Sequence, residues 1–298
     1  MLRIITIGFY NLLYVLTACF ICSGAYALES GNAVALRSKY SELTTQLKNN
    51  QFQRELYLNS TDSSHDLKGD IYAVVIYPFA TVNSALNNPA HWCDLLILHI
   101  NVKFCSATNT NPVITVNLGK KFDQPLADAY EVKFNYLEMA NTADYFAIEL
   151  SAKNGPLNTH DYRIWIEATP LKNGRTFLHF SYAYAFGLAG RLAMQSYLAT
   201  SGREKVGFTV NNPTRQNNEQ PQYIKGVRGV IERNTMRYFL AIDAYLSALK
   251  LPPAEQLEER LQLWYSGSEN YARQLHEVER NEYLEMKRKE YKRQQIVR

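Results

Sequence analysis

An acid and a base on neighbouring predicted strands are the first residues whose types suggest chemistry. Glu167 lies on the predicted strand 161–169, and His179 lies on the next one, 176–186. If these strands pair, the carboxylate and the imidazole come within the hydrogen-bond reach that general acid–base catalysis requires. The alternative is a cross-strand pair on the outer face of a sheet. Three further polar residues fall on the wetter faces of strand candidates: His99, Lys103 and Arg163.

Charged residues crowd the start of the predicted helix 227–249. Two arginines in this cluster are one turn apart and share a face, a spacing that can hold a phosphate or a carboxylate. An apolar cavity needs a few polar groups to orient its ligand, so the cluster is a candidate ligand-binding site. The alternative is an ion-paired helix surface. The members of the cluster are Arg228, Glu232, Arg233, Asn234 and Arg237.

Aromatic residues alternate along the predicted strand 176–186. Tyr182 and Tyr184 are two residues apart, with Phe180 and Phe186 in register, so all four rings project from one strand face. Such a face suits the wall of a cavity and equally a filled core. We take the two tyrosines as candidate ligand-binding residues.

The cysteines bear on both redox state and metal binding. Cys93 and Cys105 are the two of the four cysteines that lie beyond residues 1–27, the expected signal peptide. In an oxidising compartment such a pair is compatible with one disulfide, and the alternative is two buried free thiols. Two cysteines cannot build a thiolate zinc site, and the histidines lack metal-ligand spacing. The sequence therefore predicts no metal and no cofactor.

Residues 1–27 have the three parts of a secretory signal. Arg3 supplies the positive charge, residues 4–21 supply the apolar stretch, and Ala25 and Ala27 supply the small residues of a cleavage site. We expect cleavage after Ala27 and a periplasmic or secreted protein. An uncleaved membrane anchor is one alternative. The other is a lipoprotein anchored at Cys19, which follows small residues in the manner of a lipobox.

Composition indicates an ordinary globular protein. The 298 residues are 46% hydrophobic and 20% charged, and a net charge of +4 is too small to indicate a nucleic-acid partner. The 21 tyrosines suit sheet faces, cavity walls and binding surfaces. The basic tail, 287–298, could touch anionic lipid at a membrane surface, but acidic residues interrupt it, and a solvated helix is the alternative.

Changes in hydrophobic period predict the order of the elements. A short helix over 34–49 precedes a strand hairpin, 52–58 and 69–77, with a loop at 59–64. One or two helices over 80–96, broken near Pro89, lead into a meander of antiparallel strands. A helix over 187–198, a polar loop, the long helix 227–249 and further helices over 254–293 complete the chain. The predicted strands of the meander begin with alternation from Leu98 to Phe104 and continue through 113–118, 131–137, 145–152, 161–169 and 176–186.

Several sequence segments resemble START-like domains of the SRPBCC superfamily. The first is residues 67–73, LKGDIYA, followed by Pro78-Phe79 and by the residues HWCD at 91–94. Three further segments are similar to a group of uncharacterised exported bacterial proteins of that superfamily: LHINVKFC at 98–105, KVGFTV at 205–210 and GVRGVIERNTMRY at 226–238. The resemblance covers about residues 51–250.

The resemblance implies an α+β helix-grip fold, in which a curved antiparallel sheet wraps a long C-terminal helix around a central cavity. We expect a signal peptide at 1–27, a helical extension at 28–50, the START-like domain at 51–250 and a helical extension with a basic tail at 251–298. START-like domains usually bind lipids or other apolar molecules, which makes such a ligand the expected partner and a binding module the leading hypothesis. The alternatives are a cyclase or hydrolase that uses the same cavity, and an envelope interaction protein with a filled core.

Overall fold

Eight antiparallel strands form one curved sheet in the computed structural model, which describes residues 32–63, 65–108, 111–200, 202–211 and 221–297. The predicted signal peptide and Cys19 lie outside these residues. The strands are β1 (Leu56–Asp62), β2 (Asp66–Val75), β3 (Val102–Thr108), β4 (Asn111–Leu118), β5 (Tyr130–Asn141), β6 (Phe146–Asn154), β7 (Thr159–Pro170) and β8 (Thr176–Phe186). Their spatial order is β1-β2-β8-β7-β6-β5-β4-β3, so the last strand pairs with β2 near one edge.

Helices precede, interrupt and follow the sheet. They are α1 (Ala33–Glu42), α2 (Thr44–Lys48), α3 (Phe79–Leu86), α4 (Pro89–Leu96), α5 (Leu188–Ala199), α6 (Gly226–Ala248), α7 (Pro253–Glu269), α8 (Ala272–Leu275) and α9 (Arg280–Val297). Asn88 caps α4 and Pro89 occupies its first turn, which explains the break between α3 and α4. Among the described helices, none is long and apolar enough to cross a membrane.

Strand β8 shows how the sequence assigns the two faces of the sheet. Its side chains alternate, so Tyr182 packs against Tyr238 of α6, with ring centroids 5.1 Å apart, on the inner face. Phe177 points the other way and contacts Tyr40 of α1 at 5.1 Å. Both faces are covered, which is why almost every residue of β8 is buried.

The long helix α6 lies against the inner face of the sheet. Sixteen of its 23 residues are buried, because the sheet covers one side and α7 covers another. The helix approaches β2 so closely that a Cβ at Gly69 would lie 2.2 Å from the hydroxyl oxygen of Thr235. A hairpin, two short helices, six further antiparallel strands and a long enclosed helix make up the helix-grip layout. The predicted fold class is therefore confirmed.

Both helical extensions pack onto this framework. Leu36 of α1, Leu47 of α2 and Leu43 between the two helices bury their side chains in a second apolar cluster on the outer face of the sheet. At the opposite end of the sheet, Lys287 of α9 donates hydrogen bonds of 2.8 Å to the backbone oxygens of His99 and Val102. The predicted tail is thus not a fully solvated helix, since its first basic residue is buried.

A disulfide joins α4 to β3, as the oxidised alternative predicted. The sulfur atoms of Cys93 and Cys105 are 2.01 Å apart, and both residues are fully buried. The bond lies directly beneath α9, whose Gln294 is directed at the backbone oxygen of Cys93. Oxidised cysteines are typical of exported proteins.

Two predictions of strand boundaries are wrong. Residues 98–101 form a turn, and β3 begins only at Val102. The alternation that indicated a wet and a dry face there is misleading, because His99 and Lys103 are both buried. In the first hairpin, 51–55 is a turn and β1 extends to Asp62, so the segment predicted as a loop at 59–64 is mostly strand.

Candidate functional site

Four tyrosines meet between β7, β8 and α6, and we call them the tyrosine group: Tyr162, Tyr182, Tyr184 and Tyr238. Ring centroids are 5.2 Å apart for Tyr162 and Tyr184, 5.6 Å for Tyr182 and Tyr184, and 5.1 Å for Tyr182 and Tyr238. Each residue is buried. Tyr182 and Tyr184 belong to the aromatic face predicted on β8, and Tyr162 of β7 and Tyr238 of α6 each add one ring to it.

Three hydroxyls of the tyrosine group have no hydrogen-bond partner among the residues that the structure describes. Tyr162 shares a hydrogen bond of 2.7 Å with Thr159. The hydroxyls of Tyr182, Tyr184 and Tyr238 form none with any residue that the structure describes, although the three side chains are only 5 to 7% exposed. Burial raises the pKa of Tyr182 well above its ordinary value, so the phenol stays protonated. Buried tyrosines usually find a hydrogen-bond partner for the hydroxyl, so three neighbouring ones without such a partner are a candidate feature of a binding site.

His99 and Arg237 add two more unpartnered polar atoms beside the tyrosine group. The ring of His99 stacks on that of Tyr238, with centroids 4.5 Å apart. Burial, followed by the charge of Arg237, lowers the pKa of His99 well below its ordinary value, so the ring is neutral. Within the described part of the chain, His99 Nε2 and Arg237 Nε are buried without a hydrogen-bond partner.

Four basic residues lie at one end of the tyrosine group, and we call them the cation group: Lys121, Lys205, Arg233 and Arg237. Glu277, which precedes α9, accepts a hydrogen bond of 2.6 Å from Arg237 and lies 2.7 Å from the ammonium of Lys121. The ammonium of Lys205 is 3.6 Å from the same carboxylate. Burial, followed by the charge of Arg237, lowers the pKa of Lys121, which shows how closely these cations are packed.

Arg233 is the member of the cation group without a carboxylate. It donates to the backbone oxygen of Val206 at 3.2 Å and, more weakly, to the hydroxyl of Tyr197 on α5 at 3.4 Å. Its side chain is only 2% exposed. No other described residue offers it an ion pair within 4.0 Å. Arg233 also acts on the pKa of Tyr184, which places it next to the tyrosine group.

The remaining predicted residues at the start of α6 form hydrogen bonds with other parts of the protein. Glu232 accepts hydrogen bonds from the backbone nitrogens of Phe208 and Thr209, at 2.5 and 2.9 Å, and from the hydroxyl of Ser60 at 2.6 Å. Arg228 donates to the hydroxyl of Ser60 at 3.1 Å. Asn234 accepts from Arg237 at 3.2 Å. Glu232 and Arg228 therefore connect β1 and the segment 205–210 to α6. The other predicted residues, Arg233, Arg237, Tyr182 and Tyr184, lie where polar atoms have no hydrogen-bond partner among the described residues.

A separate polar network lies on the outer face of the sheet. His179 bridges two carboxylates, with Nδ1 2.8 Å from Glu167 Oε1 and Nε2 2.8 Å from Asp70 Oδ1. Tyr145 donates a 2.6 Å hydrogen bond to the other oxygen of Glu167, and the ring of Tyr72 stacks on His179 at 4.2 Å. Strands β7 and β8 do adjoin, so the predicted pair of Glu167 and His179 is real.

The chemistry of this outer network is that of a structural ion triad. Burial by itself would lower the pKa of His179, but the hydrogen bonds and charges of Asp70 and Glu167 outweigh it and raise the pKa. Both ring nitrogens of the imidazolium then donate to carboxylates. No ring atom is left to exchange a proton with a substrate, so this geometry favours the cross-strand interpretation over acid–base catalysis.

Sequence reasoning missed Asp70, His99, Lys121 and Glu277 as neighbours of the candidate residues. Glu277 lies 40 residues beyond Arg237 in the chain, and no local spacing connects the two. A signal did exist for His99 and Asp70, since both lie in the segments that resemble START-like domains. No group of His, Cys, Asp and Glu side chains suited to a metal ion occurs in the described ranges.

Comparison with known proteins finds similar structures only at low identity and low TM-score. No family model and no curated protein sequence matches it. Norcoclaurine synthase from Thalictrum flavum is similar in structure, at 12% identity and a TM-score of 0.33, over 47% of this chain and 89% of that one. Human StAR-related lipid transfer protein 5 is similar at 11% identity and a TM-score of 0.29, over 57% of this chain and 91% of that one.

An uncharacterised protein from Bacillus thuringiensis is a third similar structure. Its identity is 11% and its TM-score 0.30, over 48% of this chain and 92% of that one. Likeness at this level says nothing about activity or ligand. The helix-grip fold rests on the strand order and the enclosed α6 described above, and this layout is the one that the resemblance implied.

Proposed function

We propose that this protein is an exported START-like protein that binds or carries an apolar ligand between the sheet and α6. One observation carries the proposal. Tyr182, Tyr184 and Tyr238 are buried residues whose hydroxyls have no hydrogen-bond partner among the described residues. A core that only filled space would use phenylalanine there, because a buried hydroxyl without a hydrogen bond costs stability.

The setting of this tyrosine group supports a ligand rather than a second protein. Aromatic rings supply broad apolar walls, and a few polar atoms at one end supply orientation, which is the usual composition of a small-molecule site. Export is part of the proposal because residues 1–27 have the pattern of a signal peptide. The disulfide of Cys93 and Cys105 supports an oxidising compartment such as the periplasm.

Titration with N-phenyl-1-naphthylamine, an uncharged fluorescent apolar probe, tests the proposal. We expect saturable binding of one probe per chain and displacement by other apolar compounds. Exposed leucines on α5 could bind the probe instead, since Leu188 and Leu192 are 74% and 56% exposed. A variant carrying Leu188→Ser and Leu192→Ser is therefore the control. Binding that persists in the variant supports an interior site, whereas binding that is absent from the start or lost in the variant contradicts the proposal.

A further inference from the structure

The charge balance of the cation group is incomplete. Glu277 pairs with three of the four cations, Arg237, Lys121 and Lys205, and Arg233 has no carboxylate within the described part of the structure. Arg233 and Arg237 are 2% and 3% exposed, so bulk water contributes little to compensating their charge. A buried charge normally persists only where an opposite charge accompanies it.

The unpartnered polar atoms next to these cations are hydrogen-bond donors. Arg237 Nε can only donate. The backbone nitrogen of Asn101 donates to His99 Nδ1 at 3.2 Å, so the neutral ring carries its proton on the unpartnered Nε2. The protonated hydroxyls of Tyr182 and Tyr184 add donors from the sheet. A site with an excess of donors and positive charge selects an acceptor that is negatively charged.

We propose that the ligand carries an anionic group, a carboxylate or a phosphate, which Arg233 and Arg237 bind beneath α5 while its apolar body lies along the tyrosine group. This inference rests on the proposed function and adds the chemical class of the ligand. Two arginines one turn apart on α6 present their guanidinium groups from the same side, and a guanidinium can bind either anion through two parallel hydrogen bonds.

The position of the cation group also explains how an anion reaches it. Lys121 and Lys205 keep 28% and 23% of their side chains exposed, whereas the two arginines are buried. Tyr197 on α5 lies between them, because it accepts from Arg233 and its ring lies 5.6 Å from the ammonium of Lys121. Positive charge therefore extends from the surface to the interior site, an arrangement that attracts anions from solution.

Binding of three probes with the same 18-carbon chain tests the inference: oleate, oleoyl lysophosphatidate and the uncharged oleyl alcohol. We expect the wild-type protein to bind at least one of the two anions roughly 10-fold or more tightly than the alcohol. The anion that binds more tightly identifies carboxylate or phosphate as the head group. Isothermal titration calorimetry below the micelle concentration of each probe gives the affinities.

Substitution of Arg233 locates the anion. Arg233→Gln should remove the preference for the anions and leave the affinity for oleyl alcohol within about 2-fold, since the loss is confined to charge-assisted hydrogen bonds. Arg163→Gln is the matched control, because Arg163 lies on the outer face and is 54% exposed. Arg233→Lys keeps the positive charge and should retain most of the preference for the anions over oleyl alcohol. This variant tests the inference if Arg233→Gln does not fold.

The outcomes separate this inference from the proposed function. Equal binding of the alcohol and both anions by the wild-type protein leaves the apolar site standing and overturns the anionic ligand. An equal loss in Arg163→Gln and Arg233→Gln overturns it as well, because general attraction would then explain the preference. Absence of binding for all three probes overturns the interior site and the inference together.

Discussion

The ring of Tyr238 on α6 packs against the ring of Tyr182 on β8, with centroids 5.1 Å apart, and neither hydroxyl bonds to a residue that the structure describes. The rings join the helix to the sheet through apolar contact, which stabilises the fold without using the hydroxyls. Ring and hydroxyl can therefore be separated experimentally, because phenylalanine keeps the first and removes the second.

Replacing two tyrosines with phenylalanine should separate binding from stability. The double variant Tyr182→Phe, Tyr184→Phe loses no hydrogen bond to the described protein, so its free energy of unfolding should stay within about 1 kcal/mol of the wild type. Its affinity for oleate should fall about 2- to 10-fold for each hydroxyl that contacts the ligand. Urea denaturation and calorimetry measure the two quantities.

Tyr145→Phe is the matched control for this experiment. Tyr145 lies on the outer face and donates a 2.6 Å hydrogen bond to Glu167. Loss of a hydrogen bond to a charged group should lower stability by about 1.5–3 kcal/mol and leave oleate binding unchanged. If the double variant Tyr182→Phe, Tyr184→Phe is as destabilised as Tyr145→Phe and binds oleate with wild-type affinity, the two hydroxyls stabilise the fold and do not contact a ligand.

The outer triad predicts a dependence of stability on pH. The pKa of His179 is raised above 6.5, so its contribution is complete below pH 6.5 and is lost as pH rises through the folded pKa. Burial alone would raise the pKa values of Asp70 and Glu167, but the hydrogen bonds and charge of His179, together with their other partners, outweigh it and lower both pKa values below 3.8 and 4.5. Their contributions are complete above those values and are lost as pH falls through the lower, folded pKa values.

We therefore expect the triad to stabilise the protein most between about pH 4.5 and 6.5 and less as the pH rises further. Urea denaturation at a series of pH values, with wild type and His179→Gln, measures the effect. The glutamine variant should lose the decline above pH 6.5 that belongs to the imidazole. An identical pH profile in both proteins would show that the triad does not titrate as described.

A second cluster of buried charged side chains should be essential for the packing of the C-terminal helix α9 against β3. Glu290 of α9 lies 2.9 Å from the ammonium of Lys103 and 2.7 Å from that of Lys287, and all three side chains are at most 1% exposed. Glu290→Gln leaves two buried ammonium groups without a carboxylate and should cost about 3–5 kcal/mol. Glu285→Gln, at an exposed position that pairs with Lys289, should cost far less stability. Equal effects of the two changes would mean that α9 does not pack on β3.

The disulfide provides a further test by chemical denaturation. Replacing Cys93 and Cys105 with alanine should lower the free energy of unfolding by about 2–4 kcal/mol, the usual value for a bond that closes a loop of this size. A reducing agent should destabilise the wild type and not the variant. If the wild type is equally stable with and without the reducing agent, the thiols are not bonded in the protein.

Hydrophobic periodicity correctly predicted the helices and strands whose buried faces follow directly from their own sequence. β8 extends from Thr176 to Phe186 as its alternation indicates, and α6 begins and ends within one residue of the predicted 227 and 249. Both are long and periodic, and their neighbours in space do not alter the pattern. The resemblance to START-like domains added the helix-grip layout, a curved sheet wrapped around the long helix, which no hydrophobic period contains.

The remaining errors come from contacts that are distant in the chain. Lys103 is predicted on a wet face because lysine is usually exposed, but Glu290 compensates its charge 187 residues later. The two arginines of the predicted cluster are correctly placed on one helix face, yet their burial depends on α5 and on Glu277. The role of Asp70 depends on the pairing of β2 with β8, which brings it to within 2.8 Å of His179.

Native mass spectrometry of protein purified without denaturants from the periplasm of an expressing bacterium tests the central claim, a ligand site between the sheet and α6, most directly. We predict one additional mass per chain, released on unfolding, that fragments as an amphipathic molecule with an acidic group. The variant Tyr182→Phe, Tyr184→Phe should carry less of it. A spectrum that contains only the mass of the polypeptide, under conditions that preserve a known lipid–protein complex, would contradict the account.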